Sequence, residues 1–394
     1  ELGANINVAQ INTKGISTNS QYGGGINQAI NLPPIIPITN SDGSWGIPED
    51  FGLSMQEVVN PIALLSYVNS ESGTFKGIGG VNASFEILEG LVFKTAYSGE
   101  VAYVKSRSFS PIYRINATNK NEISSVSQSS NLYVKGNWDN TLTYKKSIGL
   151  HNLTFLLGTT RFREYSEGLG GSKDSLIFDT FDKAYIDNSL QVQGRVGGSF
   201  NNEHTLQSYF GRIYYNFSEK YLVEVVLRAD GSSRFGKNNR YGFFPAFSAG
   251  WAFTEEDFMP NLSFLDFGKI RASWGQNGNE NIGDFNFTSL ISQGHYYNFG
   301  LNQTLYNGIQ PAFLPNADLR WEASEQLDFG LDLMLLDGKI GITFDYYEKT
   351  NKDWLLDGTG NYPRVLGNLV GTINAGEVKN TGYELEINYK EIFS

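Results

Sequence analysis

Apolar and polar residues alternate strictly along the stretch LYVKGNWDNTLTYKK, from Leu132 to Lys146. Strict alternation predicts a β-strand with one apolar face and one polar face. The apolar members of one parity are Leu132, Val134, Trp138, Leu142 and Tyr144. The stretch is about 15 residues long, whereas strands in globular proteins are usually about 5–6. The pattern therefore predicts a strand of unusual length with aromatic residues on its apolar face.

The same alternation returns through the whole chain and predicts about twelve strands. In YLVEVVLRAD, for example, Val223 and Val225 lie on one face and Glu224 on the other. Links after even-numbered strands are short, as in LEGL and SEK. Links after odd-numbered strands are long, such as those from Gly15 to Ser72 and from Glu167 to Glu203. Compact domains rarely hold loops above about 12–15 residues, so loops that recur on one side only indicate a special architecture.

Short turns at one rim and long loops at the other are typical of an outer-membrane β-barrel. A strand of about 15 residues, rising about 3.3 Å per residue and tilted near 45°, spans roughly 35 Å. We therefore predict an all-β fold: an antiparallel transmembrane β-barrel with short periplasmic turns and long extracellular loops. The apolar parity would face lipid and the polar parity the lumen. A large soluble β-sandwich also alternates, but it predicts shorter strands and no side-specific loop lengths.

Composition narrows the possible functions. The net charge of −11 argues against nucleic-acid binding, which normally uses a basic stripe. The absence of cysteine excludes a thiol nucleophile and a disulfide framework. His151, His204 and His295 have no metal-ligand spacing, so we expect no metal and no cofactor. The mean hydropathy of −0.29 does not exclude a membrane protein, because alternating barrel strands never form apolar runs.

The two ends of the chain look like cut points. The opening ELGANINVAQ has no initiator methionine and no apolar leader, and it starts within an alternating pattern. The chain stops at EIFS, just after a predicted strand. We therefore expect an internal fragment or a processed chain.

Several long motifs occur in one order along the chain. They are NPIALLSY (60–67), RADGSSRFGKNNRYGFFPAFSAGWAFTEEDFM (228–259), GKIRASWGQNGNENIGDF (268–285), NADLRWEASEQLDFGLDL (316–333), GITFDYYEKTNKDWLL (341–356) and NTGYELEINYK (380–390). Together they resemble the barrel of SusC/RagA-type TonB-linked outer-membrane transporters of Bacteroidetes. The resemblance covers essentially the whole chain.

The resemblance implies an integral outer-membrane protein with a 22-stranded barrel occluded by an N-terminal plug. It also implies a TonB box, a SusD-like lipoprotein that caps the barrel as a lid, and oligosaccharide or peptide substrates. On this reading residues 1–394 are part of one barrel domain. The plug, the TonB box, the signal peptide and the final strands would lie outside this chain. The implied function is TonB-dependent nutrient import without covalent chemistry, in contact with outer-membrane lipid.

Two other functions remain open at this stage. A SusC-like barrel could serve as a structural subunit of a larger secretion or motility assembly in the outer membrane. A barrel lipase or protease would need a Ser/His/Asp set near the rim, which the three histidines do not obviously provide. The partners that accompany the protein would separate import from a scaffold.

Six charged residues are predicted to face the lumen by parity: Arg212, Glu224, Arg228, Asp230, Lys269 and Arg271. They could form a wall that docks the plug or guides substrate. Alternatively, they could pair across strands and satisfy a hydrated interior. The motif DGSSRFG nearby is expected to be structural, with Arg234 or Asp230 pairing locally.

Five aromatic residues in the long loops are candidates for substrate or lid contact: Trp45, Tyr296, Tyr297, Trp354 and Tyr362. Loops carry function more often than the strands they connect, although packing within the loops is the alternative. Two acidic pairs, Glu255–Glu256 and Glu384–Glu386, could suggest the paired carboxylates of a glycosidase. Their predicted places, a short turn and a lumen-facing strand, favour solvated faces instead.

Overall fold

Twelve long antiparallel strands form one sheet in the computed structural model, which describes residues 1–15, 25–55, 58–67, 69–260, 262–358 and 369–391. Each strand pairs with its neighbours along the chain. The strands are β1 Leu2–Lys14, β2 Asn69–Leu88, β3 Leu91–Ser110, β4 Ser125–Ile148, β5 His151–Asp174, β6 Arg195–Phe217, β7 Tyr221–Ser232, β8 Tyr241–Trp251, β9 Leu265–Asn279, β10 Glu322–Leu335, β11 Ile340–Lys352 and β12 Glu377–Tyr389. The predicted all-β fold and the number of strands are confirmed.

The remaining described elements are short and lie mainly in the loops. The helices are α1 Gly25–Asn31 and α2 Pro61–Tyr67, and the 3-10 turns are Pro48–Phe51, Phe181–Lys183, Ile186–Asn188 and Phe253–Glu255. The small strands are Tyr113–Arg114, Lys120–Asn121, Ile291–Phe299, Thr304–Pro311, Phe313–Leu314, Leu355–Asp357, Leu369–Val370 and Thr372–Asn374. None of the helices in the described ranges is long and apolar enough to cross a membrane.

The two ends of the sheet differ as the sequence predicted. At one end, the turn rim, β2 and β3 are joined by Glu89 and Gly90 alone. Gly90 has φ +79°, and a Cβ there would lie 2.3 Å from the carbonyl oxygen of Lys145, so this turn requires glycine. At the other end, the loop rim, most links are longer, as between β9 and β10 (residues 280–321). The link between β7 and β8 (residues 233–240) is an exception, since it is shorter than the turn-rim link at residues 252–264.

The predicted loop from Glu167 to Glu203 is too long. In the structure β5 continues to Asp174 and β6 already begins at Arg195. The glycine-rich stretch at residues 168–172 hides this extension, because it carries no apolar alternation. Apolar and polar residues have to alternate only where one face of a strand is in contact with lipid. The ends of strands that extend beyond the lipid therefore need not alternate. The hairpin of Ile291–Phe299 with Thr304–Pro311 is a second element missed by the pattern.

The register keeps one face of the sheet apolar. One row of directly paired residues across seven strands consists of Phe217, Tyr221, Trp251, Ile270, Leu331, Phe344 and Leu385. Many side chains on this face are open, with Ile270 47% and Leu385 63% exposed. A continuous exposed apolar face of this kind marks contact with a membrane or a partner. We call it the outer face and its polar opposite the inner face.

Candidate functional site on the inner face

All six predicted lumen residues lie on the inner face. One row of directly paired residues on this face is Leu222, Gly250, Arg271, Gly330, Asp345 and Glu384. Alternation along each strand therefore puts charged residues of β7, β9, β11 and β12 on the same surface. The inner face is a continuous hydrophilic wall that begins at the turn rim and ends beneath the loops.

Two arginines of this wall pair with carboxylates nearby. The Nε of Arg212 on β6 donates to Oε2 of Glu224 on β7 (2.9 Å). The Nε of Arg228 donates to both carboxylate oxygens of Asp230 (2.9 and 2.7 Å), and its Nη2 donates to Oγ of Ser208 (3.1 Å). The cross-strand pairing raised by the sequence thus describes Arg212 and Glu224, whereas Arg228 and Asp230 pair along one strand.

Arg271 holds the densest charge cluster on the inner face. Its Nε donates to Oδ2 of Asp332 (3.0 Å), and its Nη2 donates to Oδ2 of Asp345 (2.8 Å). These aspartates lie on β10 and β11, so one guanidinium ties three strands together. Gly330 lies beneath it, and a Cβ there would be 2.3 Å from Cζ of Arg271. The Arg271 side chain can therefore lie flat on the wall only because its neighbour on the adjacent strand, residue 330, is a glycine.

Lys269 is the one predicted cation without an ion pair in the described part of the chain. It lies opposite Asp332 in the register, and its side chain extends over Gly250, where a Cβ would meet its Cε at 2.9 Å. Lys269 and Arg271 line a groove of about 290 Å³ with Glu224 and Asp328. Both signs of charge line this groove, so it suits water and polar solutes. Contact of these residues with a plug or a substrate stays a prediction.

A buried cluster at the loop rim was missed by the sequence. The Nε2 of His204 on β6 lies 3.0 Å from Oε1 of Glu280, and the histidine ring is almost fully buried. Arg234 donates through Nε to Oδ1 of Asp284 (3.1 Å), and Ser233 Oγ lies 3.3 Å from Nδ1 of His204. His204 and Glu280 are 76 residues apart, and no periodicity links them. The cluster anchors the start of the loop at residues 280–321 to the barrel wall.

An apolar core lies beside this cluster. Phe235 and Leu319 are fully buried, and they pack with Phe244 and Trp321. Phe235 belongs to the motif DGSSRFG, so the motif supplies a core residue to the loops. The expectation of local pairing fits Asp230, which pairs with Arg228. It is wrong for Arg234, whose partner Asp284 lies 50 residues further along.

The loop aromatics fall into different environments. Trp45 donates through Nε1 to the hydroxyl of Tyr67 (3.0 Å) and packs within the loops. Tyr296 and Tyr297 are each 65% exposed on the loop hairpin. The indole Nε1 of Trp354 is buried without a partner among the described residues. Tyr362 lies outside the described residues. Contact of these aromatics with substrate or a lid stays a prediction.

The acidic pair Glu255–Glu256 is poorly suited to acid–base catalysis. Glu256 accepts hydrogen bonds from the hydroxyl of Tyr221 and from Nε1 of Trp251 (2.9 Å). The bond from Tyr221, then the bond from Trp251, holds the pKa of the Glu256 carboxyl below its ordinary value. A general acid needs the opposite shift. Glu384 of the second pair faces Asp345 on the inner wall, as its parity predicted.

A sheet of long meandering strands, apolar outside, charged inside and looped at one rim, defines the wall of an outer-membrane β-barrel. The family model for the β-barrel of TonB-dependent receptor-like proteins matches residues 12–394. The chain therefore belongs to the TonB-dependent receptor-like β-barrel family and is an integral part of the bacterial outer membrane.

Several relatives are similar over most of this chain. The TonB-dependent receptor P3 of Formosa agariphila is 30% identical, over 100% of this chain and 38% of its own length. The TonB-dependent receptor SusC of Bacteroides thetaiotaomicron is 30% identical, over 84% of this chain and 32% of its own length. The chain thus spans roughly a third of the length of these curated relatives.

A solved structure supports the fold. The structure of the RagAB peptide transporter superposes on 98% of this chain with a TM-score of 0.79, at 23% sequence identity. The chain covers 42% of that structure's chain. The likeness confirms that the twelve-stranded sheet is part of a large barrel wall.

Proposed function

We propose that the protein containing this chain imports oligosaccharides or peptides across the outer membrane, driven by TonB. In this proposal a plug closes a 22-stranded barrel, a SusD-like lipoprotein closes over the loops, and this chain supplies about twelve strands of the wall. The chain carries no enzymatic chemistry. The names of the similar proteins, SusC and a peptide transporter, support this class of function.

The observation that carries the proposal is the inner face. Its arginines are neutralised by carboxylates of the same wall, as Arg271 is by Asp332 and Asp345. Such a wall stays hydrated and fixed in shape while polar solutes pass, because it offers few unpaired charges that would trap them. A soluble enzyme would instead gather its polar groups in one cleft.

The loops would supply the surface for substrate and lid. The cluster of His204, Glu280 and Asp284, together with the core around Phe235, holds the base of the long loop against the wall. The exposed pair Tyr296 and Tyr297 lies further out on the same loop. We propose that these rings contact substrate or the lid, since exposed aromatic residues are favoured at binding surfaces.

The experiment uses the full-length protein in its native outer membrane. Gentle extraction followed by mass spectrometry would identify its partners, and uptake of labelled oligosaccharides and peptides would be measured with and without the TonB contact. Import predicts a lipoprotein at one-to-one stoichiometry and uptake that is lost when the TonB contact is deleted. Several large partners without a lid, and no TonB-dependent uptake, would contradict import and favour a scaffold.

Tyr296 and Tyr297 can be tested in the same system. The double substitution to Ala should lower uptake or lid retention, while Tyr306→Ala on the paired hairpin strand serves as a matched control. An unchanged uptake and an unchanged lid in the double variant would contradict the role of these two rings.

A further inference from the structure

The outer face carries a groove at the level where lipid gives way to water. Three adjacent rows of the register build it on β3, β4 and β5. The rows are Tyr97–Trp138–Arg161, Gly99–Gly136–Arg163 and Val101–Val134–Tyr165. Trp138 and Tyr97 are about half exposed on the outer face, so Arg161 and Arg163 lie on that face too. Both arginines lie on the same parity of β5 as the apolar residues Leu153, Phe155 and Leu157.

The height of the groove follows from the strand geometry. Arg161 comes ten residues after His151, the first residue of β5 at the turn rim. Ten residues at about 3.3 Å, tilted near 45°, rise roughly 23 Å, and the apolar band of such a barrel is about 25 Å tall. The outer-face residues of β5 between them, Leu153, Phe155, Leu157 and Thr159, carry no charge. Arg161 is therefore the first cation that this face of β5 presents above His151, and it lies near the upper edge of the lipid band.

The groove joins an apolar wall to a cationic one and has a volume of about 350 Å³. The indole Nε1 of Trp138 donates to Oγ1 of Thr95 (3.0 Å), which holds the ring against β3. The floor is open at Gly136, where a Cβ would meet the hydroxyl of Tyr97 at 3.0 Å. The tryptophan and tyrosine rings thus form one side, and the two arginines form the other.

The charges of the groove are only partly balanced by the residues that the structure describes. Arg163 pairs with Glu203 through two hydrogen bonds (2.7 and 3.1 Å). The hydroxyl of Tyr165 donates to Oε2 of Glu167 (2.6 Å). Arg161 is exposed, and no carboxylate lies within ion-pair distance of it among the residues that the structure describes. One guanidinium therefore faces the lipid–water boundary with its donors available.

We propose that this groove binds the phosphate of an anionic lipid of the outer leaflet. Arg161 would hold the phosphate through paired N–H donors, the geometry in which arginine binds phosphate best. The acyl chains would descend along Tyr97 and Phe155 on the outer face. Trp and Tyr favour this level of a membrane because one end of each ring is apolar and the other polar. A lipid, rather than free phosphate, fits a groove whose other wall is apolar.

The test uses the full-length protein in neutral detergent and diphosphoryl lipid A as the probe. Binding is measured by native mass spectrometry for the wild type, for R161Q and for the control R195Q. Arg195 lies at the loop end of β6, with its side chain 85% exposed and 3.6 Å from Asp174. Arg161→Gln should weaken lipid binding roughly tenfold, the loss of one charge-assisted contact. Arg195→Gln should leave it unchanged.

Two further arms complete the test. Resistance to unfolding by heat in detergent verifies that both variants fold. Inorganic phosphate at millimolar concentration should not displace the lipid, because it lacks the apolar part that the Trp138 side of the groove would hold. Equal binding by R161Q and the wild type, or full displacement by inorganic phosphate, would overturn the proposal.

Discussion

Arg271 and Arg212 on the inner face of this sheet and Arg161 on its outer face have opposite surroundings. On the inner face Arg271 is held by Asp332 and Asp345, and Arg212 by Glu224. On the outer face Arg161 has no such carboxylate in the described part of the chain. The inner wall thus supplies the counter-charges of these two arginines itself. The outer groove leaves the charge of Arg161 without a carboxylate partner among the described residues, and we propose that an anionic lipid supplies the counter-charge.

The largest effect on stability should come from a charge placed on the outer face of a strand, compared with the same charge on the inner face of that strand. Phe344→Lys puts a cation on the outer face, five residues into β11, where Phe344 stacks on Tyr383. A lysine near the middle of the lipid band costs about 2–4 kcal/mol. We expect a lower denaturant midpoint for the full-length protein in lipid vesicles.

The matched control is Thr343→Lys, one residue earlier on the inner face. It faces Asp332 and Glu386 across the register, so a lysine there gains carboxylate neighbours. Its stability should change by less than about 1 kcal/mol. Similar losses from the two variants would contradict the assignment of the faces.

The next largest effect should come from the inner charge cluster. Arg271→Met leaves Asp332 and Asp345 without their shared donor and should destabilise the protein by about 1–2 kcal/mol, because water reaches the pair and limits the loss. Arg212→Met leaves only Glu224 without its partner, so it should lower the free energy of unfolding by less than Arg271→Met does. Equilibrium unfolding of both variants in vesicles measures the difference. An equal cost for the two would show that Arg271 does not tie its three strands together.

A smaller effect should appear at low pH at the turn rim. Glu256 binds Tyr221 and Trp251 as a carboxylate, and these bonds lower its pKa in the folded state. A lowered pKa means that the stabilisation is complete above the ordinary carboxyl pKa and is lost as the pH falls through the folded value. The Tm of the wild type should therefore fall more than that of Glu256→Gln between pH 6 and pH 3. If the Tm of both proteins falls equally with pH, the Glu256 carboxylate is not the source of the pH-dependent stabilisation.

The smallest effect on stability should come from the outer groove. Because Arg161 holds no carboxylate of the described chain, Arg161→Gln should change the free energy of unfolding in neutral detergent by less than about 0.5 kcal/mol. The same measurement on Arg271→Met gives the contrast. A large loss for Arg161→Gln would mean that the arginine stabilises the wall itself.

The alternation of apolar and polar residues was enough to predict the strands of the sheet. Where lipid covers one face, as along β7, every second residue is apolar, and the number of strands and their direction follow from the sequence. The prediction failed where that constraint ends. The stretch at residues 168–172 continues β5 without alternation, because beyond the lipid neither face has to be apolar.

The candidate sites were only partly predictable for a related reason. Parity places Arg212 and Arg271 on the inner face, but it does not say which carboxylate each will bind. The contact of His204 with Glu280 depends on how a loop folds back over 76 residues, and no local pattern encodes that. Arg161 and Arg163 break the alternation of β5, because they are two cations on the parity predicted to face lipid, and this is the signal that could have found them.

The most direct test of the account is the accessibility of alternate residues along one strand. Single cysteines at positions 326–332 of β10 in the full-length protein, spin-labelled in a bilayer, report oxygen from lipid and a nickel complex from water. The chain itself contains no cysteine. An outer face in lipid and a hydrated inner face predict a period of two, with oxygen maxima at Leu327, Phe329 and Leu331 and nickel maxima at the even positions from Gln326 to Asp332, Gly330 included. Uniform accessibility, or the opposite phase, would contradict a wall with lipid outside and a hydrated lumen inside.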